Sequence, residues 1–343
     1  MKAAVLAGPN EIRIEERPLP KPGPGEALVR VRACGICGSD IHGFQGKIPD
    51  RRPPGIIMGH EAAGQIAEIR GEGVRFQEGD RVAVNPLIAC LECWACRRGW
   101  FQLCESNVTL GSAMRVHRDG ALCEYIAVPC RQLYPLPAGV SYAAGAVAEP
   151  AGNAVHLLGR AAPEPGSAVA VFGAGAIGLL VVQAARLAGA ATVIAVDIKA
   201  SRLRKALELG ADAAVDAREQ DPVQAVRERT EGRGADLAVE AAGFAATYRQ
   251  CLEAVRKRGT VLALGFAEPE ASFPMRSLIY RELSIVGSTG YGHEFDKALS
   301  LIAAGKLDPM PLVTHTFPLE QAQKAFQTAG DPASEAIKVM VIP

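Results

Sequence analysis

Residues 168–178 constrain the fold of this chain more than any other segment. Ala168-Val169-Ala170-Val171-Phe172 is apolar at every position, as a strand buried on both faces must be, and it runs directly into Gly173-Ala174-Gly175-Ala176-Ile177-Gly178. A stretch with helical potential, 177–187, follows, then a second apolar run, Thr192-Val193-Ile194-Ala195-Val196. The alternation continues. Residues 201–209 read as a helix stopped by Gly210, 236–239 as a strand, 245–257 as a helix, and 260–264 and 283–286 as strands. This order predicts an α/β fold built on a doubly wound parallel sheet with helices on both faces.

A glycine pattern alone carries little weight in a chain with 36 glycines. Between a buried strand and its helix it acquires a mechanism. Gly173 permits the tight turn, Gly175 lets the backbone approach a pyrophosphate, and Gly178 lets helix and sheet pack closely. The helix start at Ala176 and Ile177 then offers free amides and a positive dipole end to the anion. Asp197 closes the second strand, 19 residues after Gly178. A carboxylate there can accept hydrogen bonds from both adenosine ribose hydroxyls and repels a 2′-phosphate, which favours NAD over NADP; the plainer reading is a turn cap. Arg202, nearby, tempers the preference.

The 343 residues suffice for two domains, and 37 basic side chains balance 37 acidic ones. That balance argues against a broad nucleic-acid surface, which needs a clustered excess of Lys and Arg, and it leaves self-association open. The apolar stretch 168–182 is broken by three glycines and is shorter than the roughly 20 residues of a membrane span. The first apolar run, Met1-Lys2-Ala3-Ala4-Val5-Leu6, breaks at Gly8-Pro9, too early for a signal-peptide core. The expectation is a cytoplasmic protein without membrane or nucleic-acid partners. Up to about residue 150 the chain is punctuated by Gly and Pro, with β-type runs such as 27–31 and 81–84, as suits an irregular β domain. Lys338-Val339-Met340-Val341-Ile342 reads as a closing strand that returns to this domain and makes it discontinuous.

Nine cysteines in such a chain point to metal ligands or packing rather than to a disulfide framework. Cys90-x2-Cys93-x2-Cys96-x7-Cys104 is the most specific local signal, matching a closed tetrahedral zinc site; two disulfides, buried core cysteines and an iron–sulfur cluster are the competing readings. A second, dispersed set comprises Cys37, Gly59-His60-Glu61 and Glu149-Pro150. One thiolate, one imidazole and carboxylates form a mixed ligand set that solvent or substrate can complete, as a catalytic zinc requires. Cys34-Gly35-Ile36-Cys37 also reads as a redox pair, although it lacks a βαβ setting.

Gly35-Ile36-Cys37-Gly38-Ser39-Asp40-Ile41-His42, Gly59-His60-Glu61, the four-Cys lobe, Glu149-Pro150 and the glycine fingerprint occur in the order found in the zinc-dependent medium-chain alcohol dehydrogenases. The chain resembles that family over essentially its whole length, and most of all its sorbitol, L-idonate and L-threonine dehydrogenase branch. Gly111-Ser112-Ala113-Met114 ahead of His117 and Asp119-Gly120, and Phe273-Pro274-Met275 ahead of Leu278, are similar to L-idonate dehydrogenases.

The resemblance implies a GroES-like catalytic domain at 1–152, carrying a structural zinc lobe at about 88–106. It further implies a Rossmann NAD-binding domain at 153–288 and a return to the catalytic domain at 289–343. It implies two zinc ions per chain, NAD, a small-molecule alcohol substrate and a homodimer or homotetramer. Cys37 and His60 become ligands of the catalytic zinc, with Glu61 and Glu149 as carboxylates of which at least one binds directly; Cys90, Cys93, Cys96 and Cys104 hold the structural zinc. The implied reaction is hydride transfer from a secondary carbinol to the nicotinamide, with Ser39 accepting the hydroxyl proton and His42 passing it on. Leu264, Gly265, Phe266, Ser288 and Thr289 follow two buried strands, where nicotinamide contacts fall in this fold.

Two departures argue against sorbitol itself. Gly43-Phe44 follows His42 where relatives have an aromatic directly, and Thr289-Gly290-Tyr291 stands where they tend to carry an Arg. A zinc-free quinone-type reductase and a non-catalytic dinucleotide-binding protein are the alternative readings. His156, His293 and His315 read as surface or packing residues, Cys34, Cys123, Cys130 and Cys251 as small hydrophobes, and Trp94 and Trp100 as packing for the four-Cys lobe.

Overall fold

In the central part of the chain the apolar runs are strands, each paired in parallel with its neighbours. The computed structural model describes residues 1–71, 75–266, 268 and 270–343. These form two units, one of residues 1–149 with 291–343 and the other of residues 150–290, so the breaks fall at 149/150 and 290/291 rather than at 152/153 and 288/289.

The 150–290 unit is built on a six-stranded sheet in the order Ala213–Asp216, Thr192–Asp197, Ala168–Phe172, Ala235–Glu240, Val255–Ala263, Ser284–Gly287. That is the doubly wound order, reversing direction between the third and fourth strands. Val169, Ala170, Val171 and Phe172 are fully buried, which explains why no polar residue interrupts the run. The helix Ala176–Leu187 crosses from the first strand to the second, as the alternation predicts.

One reading needs correction, and one strand escaped the sequence reading. The helix expected over 245–257 spans Ala245–Ala254 and gives way at once to the strand Val255–Ala263, because the extended backbone at Val255 ends it. The strand Ala213–Asp216 carries no periodic signal, being short and alanine-rich.

The other unit contains a seven-stranded sheet. Its central strand, Glu26–Gly35, pairs antiparallel with Glu61–Arg70, with Tyr125–Pro129 and with the closing strand Lys338–Ile342. The closing strand meets it at Met340↔Gly35 and Val341↔Cys34 and is flanked on its other side by Val313–Pro318. The tail of the chain therefore belongs to the first unit's sheet. Among the described residues no helix is long and apolar enough to cross a membrane.

Candidate active site

The register of one strand pair creates the first cluster. Gly35 lies opposite Glu61, so Cys37, two residues beyond one strand end, and His60, one residue before the other strand, come to the same edge. The ligand atoms of Cys37, His60 and Glu61 all lie within 4.8 Å of one another. Gly35 is required by this arrangement: a Cβ there would stand 2.1 Å from Glu61 Oε2.

Cys37 is the N-cap of the helix Gly38–Phe44, and its backbone N–H donates to Asp40 Oδ2 at 3.2 Å. Asp40 is fully buried, and its other oxygen lies 3.4 Å from both His60 Nδ1 and Arg52 Nη2. Burial alone would raise the Asp40 pKa, but His60, Arg52 and the Cys37 amide together hold the carboxyl well below its usual range. Burial opposes charge on His60, and the facing Asp40 and Cys37 outweigh it, raising the imidazole well above its ordinary value. Asp40 thus faces the Nδ1 side of the ring as a charge, 3.4 Å away and outside hydrogen-bond geometry, which leaves the other nitrogen for a metal.

Glu61 is held as tightly. Lys338 Nζ donates to both of its carboxylate oxygens at 2.7 Å and to the Ile36 carbonyl at 3.1 Å, with both side chains almost wholly buried. Burial disfavours the ammonium, yet Glu61 and Cys37 raise its pKa overall. Glu149, in the first turn of the helix Ala148–Ala161, lies outside the three-residue cluster. The hydroxyl of buried Tyr291 donates to Asn85 Oδ1 at 3.4 Å, and burial and then the Glu149 charge raise its pKa; that charge is also felt at Lys338. Ser39 and His42, half-buried, sit three residues apart on the helix Gly38–Phe44.

The four-Cys lobe brings all four sulfurs within 4.8 Å of one another. Tetrahedral thiolate ligation at about 2.3 Å places sulfurs about 3.8 Å apart; Cys90 and Cys96 are separated by 3.9 Å. Backbone amides point at the sulfurs: Cys90 N–H donates to Cys104 Sγ at 3.2 Å and Cys93 N–H to Cys90 Sγ at 3.4 Å. The amides of Cys96 and Glu105 lower the Cys93 thiol to about 6, those of Glu92 and Cys93 lower Cys90, and burial pushes Cys96 up to about 12. Sulfurs at this spacing, solvated by amides and unlinked by disulfides, fit a metal ion. Trp94 and Trp100 do not pack the lobe interior. They are 56% and 43% exposed and meet each other edge to face at 5.2 Å, with Arg98 stacked over Trp94, because the lobe's small core is filled by Ala89, Cys96, Cys104 and Phe101.

In the other unit a cavity of about 240 Å³ opens at the carboxyl ends of the strands, lined by Gly173, Gly175, Asp197 and Arg202. Gly178 sits where a Cβ would meet Gly173 O at 1.8 Å. Asp197 caps the turn, as the plainer reading has it, and it also lines the cavity. Oδ2 takes the Ala174 N–H at 2.7 Å and Oδ1 takes those of Ile198 and Lys199 at 2.8 and 2.9 Å, while the carboxylate also faces the cavity; Arg202 Nη1 lies 3.9 Å away. Leu264, Gly265, Phe266, Ser288 and Thr289 do not line this cavity. Leu264 and Gly265 donate to Glu240 O, Ser288 donates to Ala263 O, and Phe266 is largely exposed.

Sequence reasoning missed several members of these sites. Lys338 was legible as a cation heading an apolar strand, and Asp40 as the third helical residue after its N-cap. Phe244 and Thr247, which also line the Asp197 cavity, carried no signal.

Residues 23–138 match a family model described as alcohol dehydrogenase GroES-like domain, and residues 176–304 one described as zinc-binding dehydrogenase. Sorbitol dehydrogenase of Bacillus subtilis is 36% identical over 348 residues, covering 100% of this chain and 97% of that protein. Among solved structures, L-idonate 5-dehydrogenase from Escherichia coli superposes with a TM-score of 0.92 at 32% identity, covering 100% of this chain and 98% of the other. A zinc-binding dehydrogenase from Sinorhizobium meliloti, bound to NADP, gives 0.91 at 35% identity, covering 100% and 99%.

Proposed function

This chain belongs to the zinc-dependent medium-chain alcohol dehydrogenase family, in its sorbitol dehydrogenase-like branch, and from that membership we propose that it oxidises a secondary alcohol of a polyol or sugar acid to the ketone, with NAD as hydride acceptor. The observation that carries the reading is the convergence of Cys37, His60 and Glu61 within 4.8 Å, in a chain whose other unit presents a glycine-turn dinucleotide cavity. Cys37 and His60 hold the catalytic zinc, with Glu61 or Glu149 adding a carboxylate. Zinc, when bound, supplies the Lewis acidity that makes an alcohol hydroxyl easier to deprotonate. Asp40 keeps the His60 ring aimed, and Lys338 neutralises Glu61 and governs its reach. Ser39 Oγ would accept the hydroxyl proton as it passes its own proton on, and His42 would take up the relayed proton and release it to solvent. Burial and then Lys47 lower the His42 pKa, so the ring is neutral and free to accept at neutral pH.

Cys90, Cys93, Cys96 and Cys104 hold the second zinc and stiffen a lobe with almost no apolar core. Asp197 favours NAD, since a carboxylate lining this cavity would accept from the adenosine ribose hydroxyls and disfavour a 2′-phosphate. Gly43-Phe44 and Thr289-Gly290-Tyr291 move the substrate away from sorbitol and towards sugar acids, other polyols or a vicinal diol. Nine unbridged cysteines suit a reducing, cytoplasmic setting.

The chain works as a homodimer or homotetramer. The edge strand Ser284–Gly287 and the helix Met275–Tyr280 leading into it leave Met275, Ile279, Tyr280 and Ile285 40–75% exposed.

The decisive experiment is a panel of polyols, sugar acids, diols and amino alcohols with NAD and with NADP, followed by absorbance of the reduced cofactor. Turnover of a secondary alcohol with NAD, abolished in Cys37→Ser while NADH still binds, is the expected result. Undiminished turnover in metal-depleted Cys37→Ser would overturn the reading. Preference for threonine or butanediol would transfer the chain to that type within the family.

A further inference from the structure

The 150–290 unit has a second cavity besides the one lined by Asp197. About 460 Å³ in volume, it lies at the opposite end of the sheet, where the strands beginning at Ala168, Thr192 and Ala235 enter. Its lining shares no residue with the Asp197 cavity.

Three observations set it apart from ordinary surface. The first is a buried hydroxyl. Ser167 is 7% exposed and lines the cavity, its backbone is paired with Glu164 O and Ala191 N–H, and its Oγ has no hydrogen-bond partner among the described residues. Such groups are rare in folded proteins and call for a partner that the chain itself does not supply.

The second is the charge. Four arginines, Arg229, Arg233, Arg256 and Arg258, line the cavity together with three acidic residues, Glu164, Glu231 and Asp236. Asp236 is committed, taking the Ala168 N–H at 2.7 Å and Arg256 Nε at 2.6 Å. The Arg233–Glu231 and Arg258–Glu282 pairs, at 3.3 and 3.4 Å, are solvent-exposed on both sides, so each guanidinium is weakly held and free to re-aim. Arg229 uses Nη1 on the Ala225 carbonyl at 2.8 Å and makes no ion pair among the described residues.

The third is the backbone. Ala162, Glu231 and Arg258, all lining the cavity, hold left-handed φ values of 42°, 55° and 58°. In addition, residues 256–259 bulge opposite the single residue Asp236, between the pairs Ala235↔Val255 and Leu237↔Thr260. Left-handed non-glycine residues and bulges persist where the surrounding fold enforces them, and they gather at ligand sites because they aim side chains that regular strands cannot.

We propose that this cavity is a second ligand site, for the phosphoryl group of a small phosphorylated metabolite, with Arg229 as its principal cation and the Ser167 hydroxyl as a donor from the cavity wall. The planar fork of an arginine matches a phosphoryl oxygen pair, and the volume leaves room for a compact organic remainder. Its lining shares no residue with the Asp197 cavity or with either cysteine-containing cluster, so occupancy is expected to be independent of them.

Calorimetric titration of the zinc-loaded protein with inorganic phosphate, at ionic strength fixed by sodium chloride, tests this with and without saturating NADH. NADH occupies the glycine turn and removes that competing phosphate site. The expected result is one phosphate per chain, with an affinity that NADH leaves unchanged. Arg229→Gln should weaken it at least about tenfold and Ser167→Ala several-fold, with NADH affinity intact in both. Absence of saturable phosphate binding in the presence of NADH would overturn the proposal. So would a phosphate site untouched by both variants, since that behaviour belongs to the metal. Ser167→Ala removes one oxygen from a site the chain leaves unpaired, so it reads the site even if Arg229→Gln folds poorly.

Discussion

Lys338 and Glu61 form an ion pair from which water is almost wholly excluded, with both carboxylate oxygens 2.7 Å from one ammonium. A pair of this kind is weak support for stability as a whole, but removing one member strands the other charge in a dry site. Lys338→Met should therefore lower the unfolding free energy of the zinc-loaded protein by about 3–5 kcal/mol, and adding Glu61→Gln should restore much of the loss. Urea denaturation of the two variants measures this; equal stability of Lys338→Met and the parent would show that Glu61 has another partner. His42 supplies a residue-scale prediction of a different sort. Its pKa lies below the ordinary histidine value because of burial and then the Lys47 charge. If His42 is the relay proposed above, its neutral, proton-accepting ring persists as pH falls past about 6.5, and activity should decline only below that value. Lys47→Met removes one of the two lowering causes, so the acid limb of the kcat profile should move to higher pH. An unmoved limb would take His42 out of the relay.

At the scale of elements, the strands and glycines were legible where one physical demand acts alone. A run buried on both faces must be apolar at every position, so Ala168–Phe172 and Thr192–Asp197 announce themselves. Gly178 is legible for the same reason, since only a hydrogen fits against Gly173 O. Where two demands compete, the sequence misleads. Residues 255–257 look helical by composition, yet they open a strand because Val255 pairs with Ala235. Tryptophans beside a cysteine lobe look like its core, yet a lobe of this size has room for little beyond Ala89, two cysteines and the edge of Phe101. Pairings across the fold, such as Lys338 with Glu61 over 277 positions, leave no local pattern at all. The lobe itself makes a prediction. Since its buried apolar cluster is so small, metal ligation must hold its 3-10 turns together. Cys104→Ser should reduce zinc from two ions per chain to one, and faster limited proteolysis around 88–106 should accompany the loss. A lobe as protease-resistant as the parent's, with one zinc lost, would show that it folds without its metal.

The molecule as a whole carries no net formal charge, with 37 basic and 37 acidic side chains, so long-range repulsion does nothing to keep copies apart. What decides association is then local. The sheet of the 150–290 unit ends in the strand Ser284–Gly287, paired on one side only, with Ile285 40% exposed and Tyr280, on the segment leading into it, 75% exposed. An unprotected edge strand normally carries charge, proline or a bulge to discourage pairing. This one carries Ser284, Ile285, Val286 and Gly287, none of which does so. A second copy related by a two-fold axis would satisfy the free backbone groups and cover the apolar side chains in one self-complementary contact. Ile285→Lys places a cation on the edge and, in the two-fold arrangement, brings two like charges together. Sedimentation velocity should then show the parent as a dimer or tetramer and the variant shifted by at least one step towards the monomer, with NADH binding retained because the Asp197 cavity lies away from that strand in the sheet order. If the variant sediments as the parent does, the edge is not the contact, and the exposed tryptophans of the cysteine lobe become the next surface to charge.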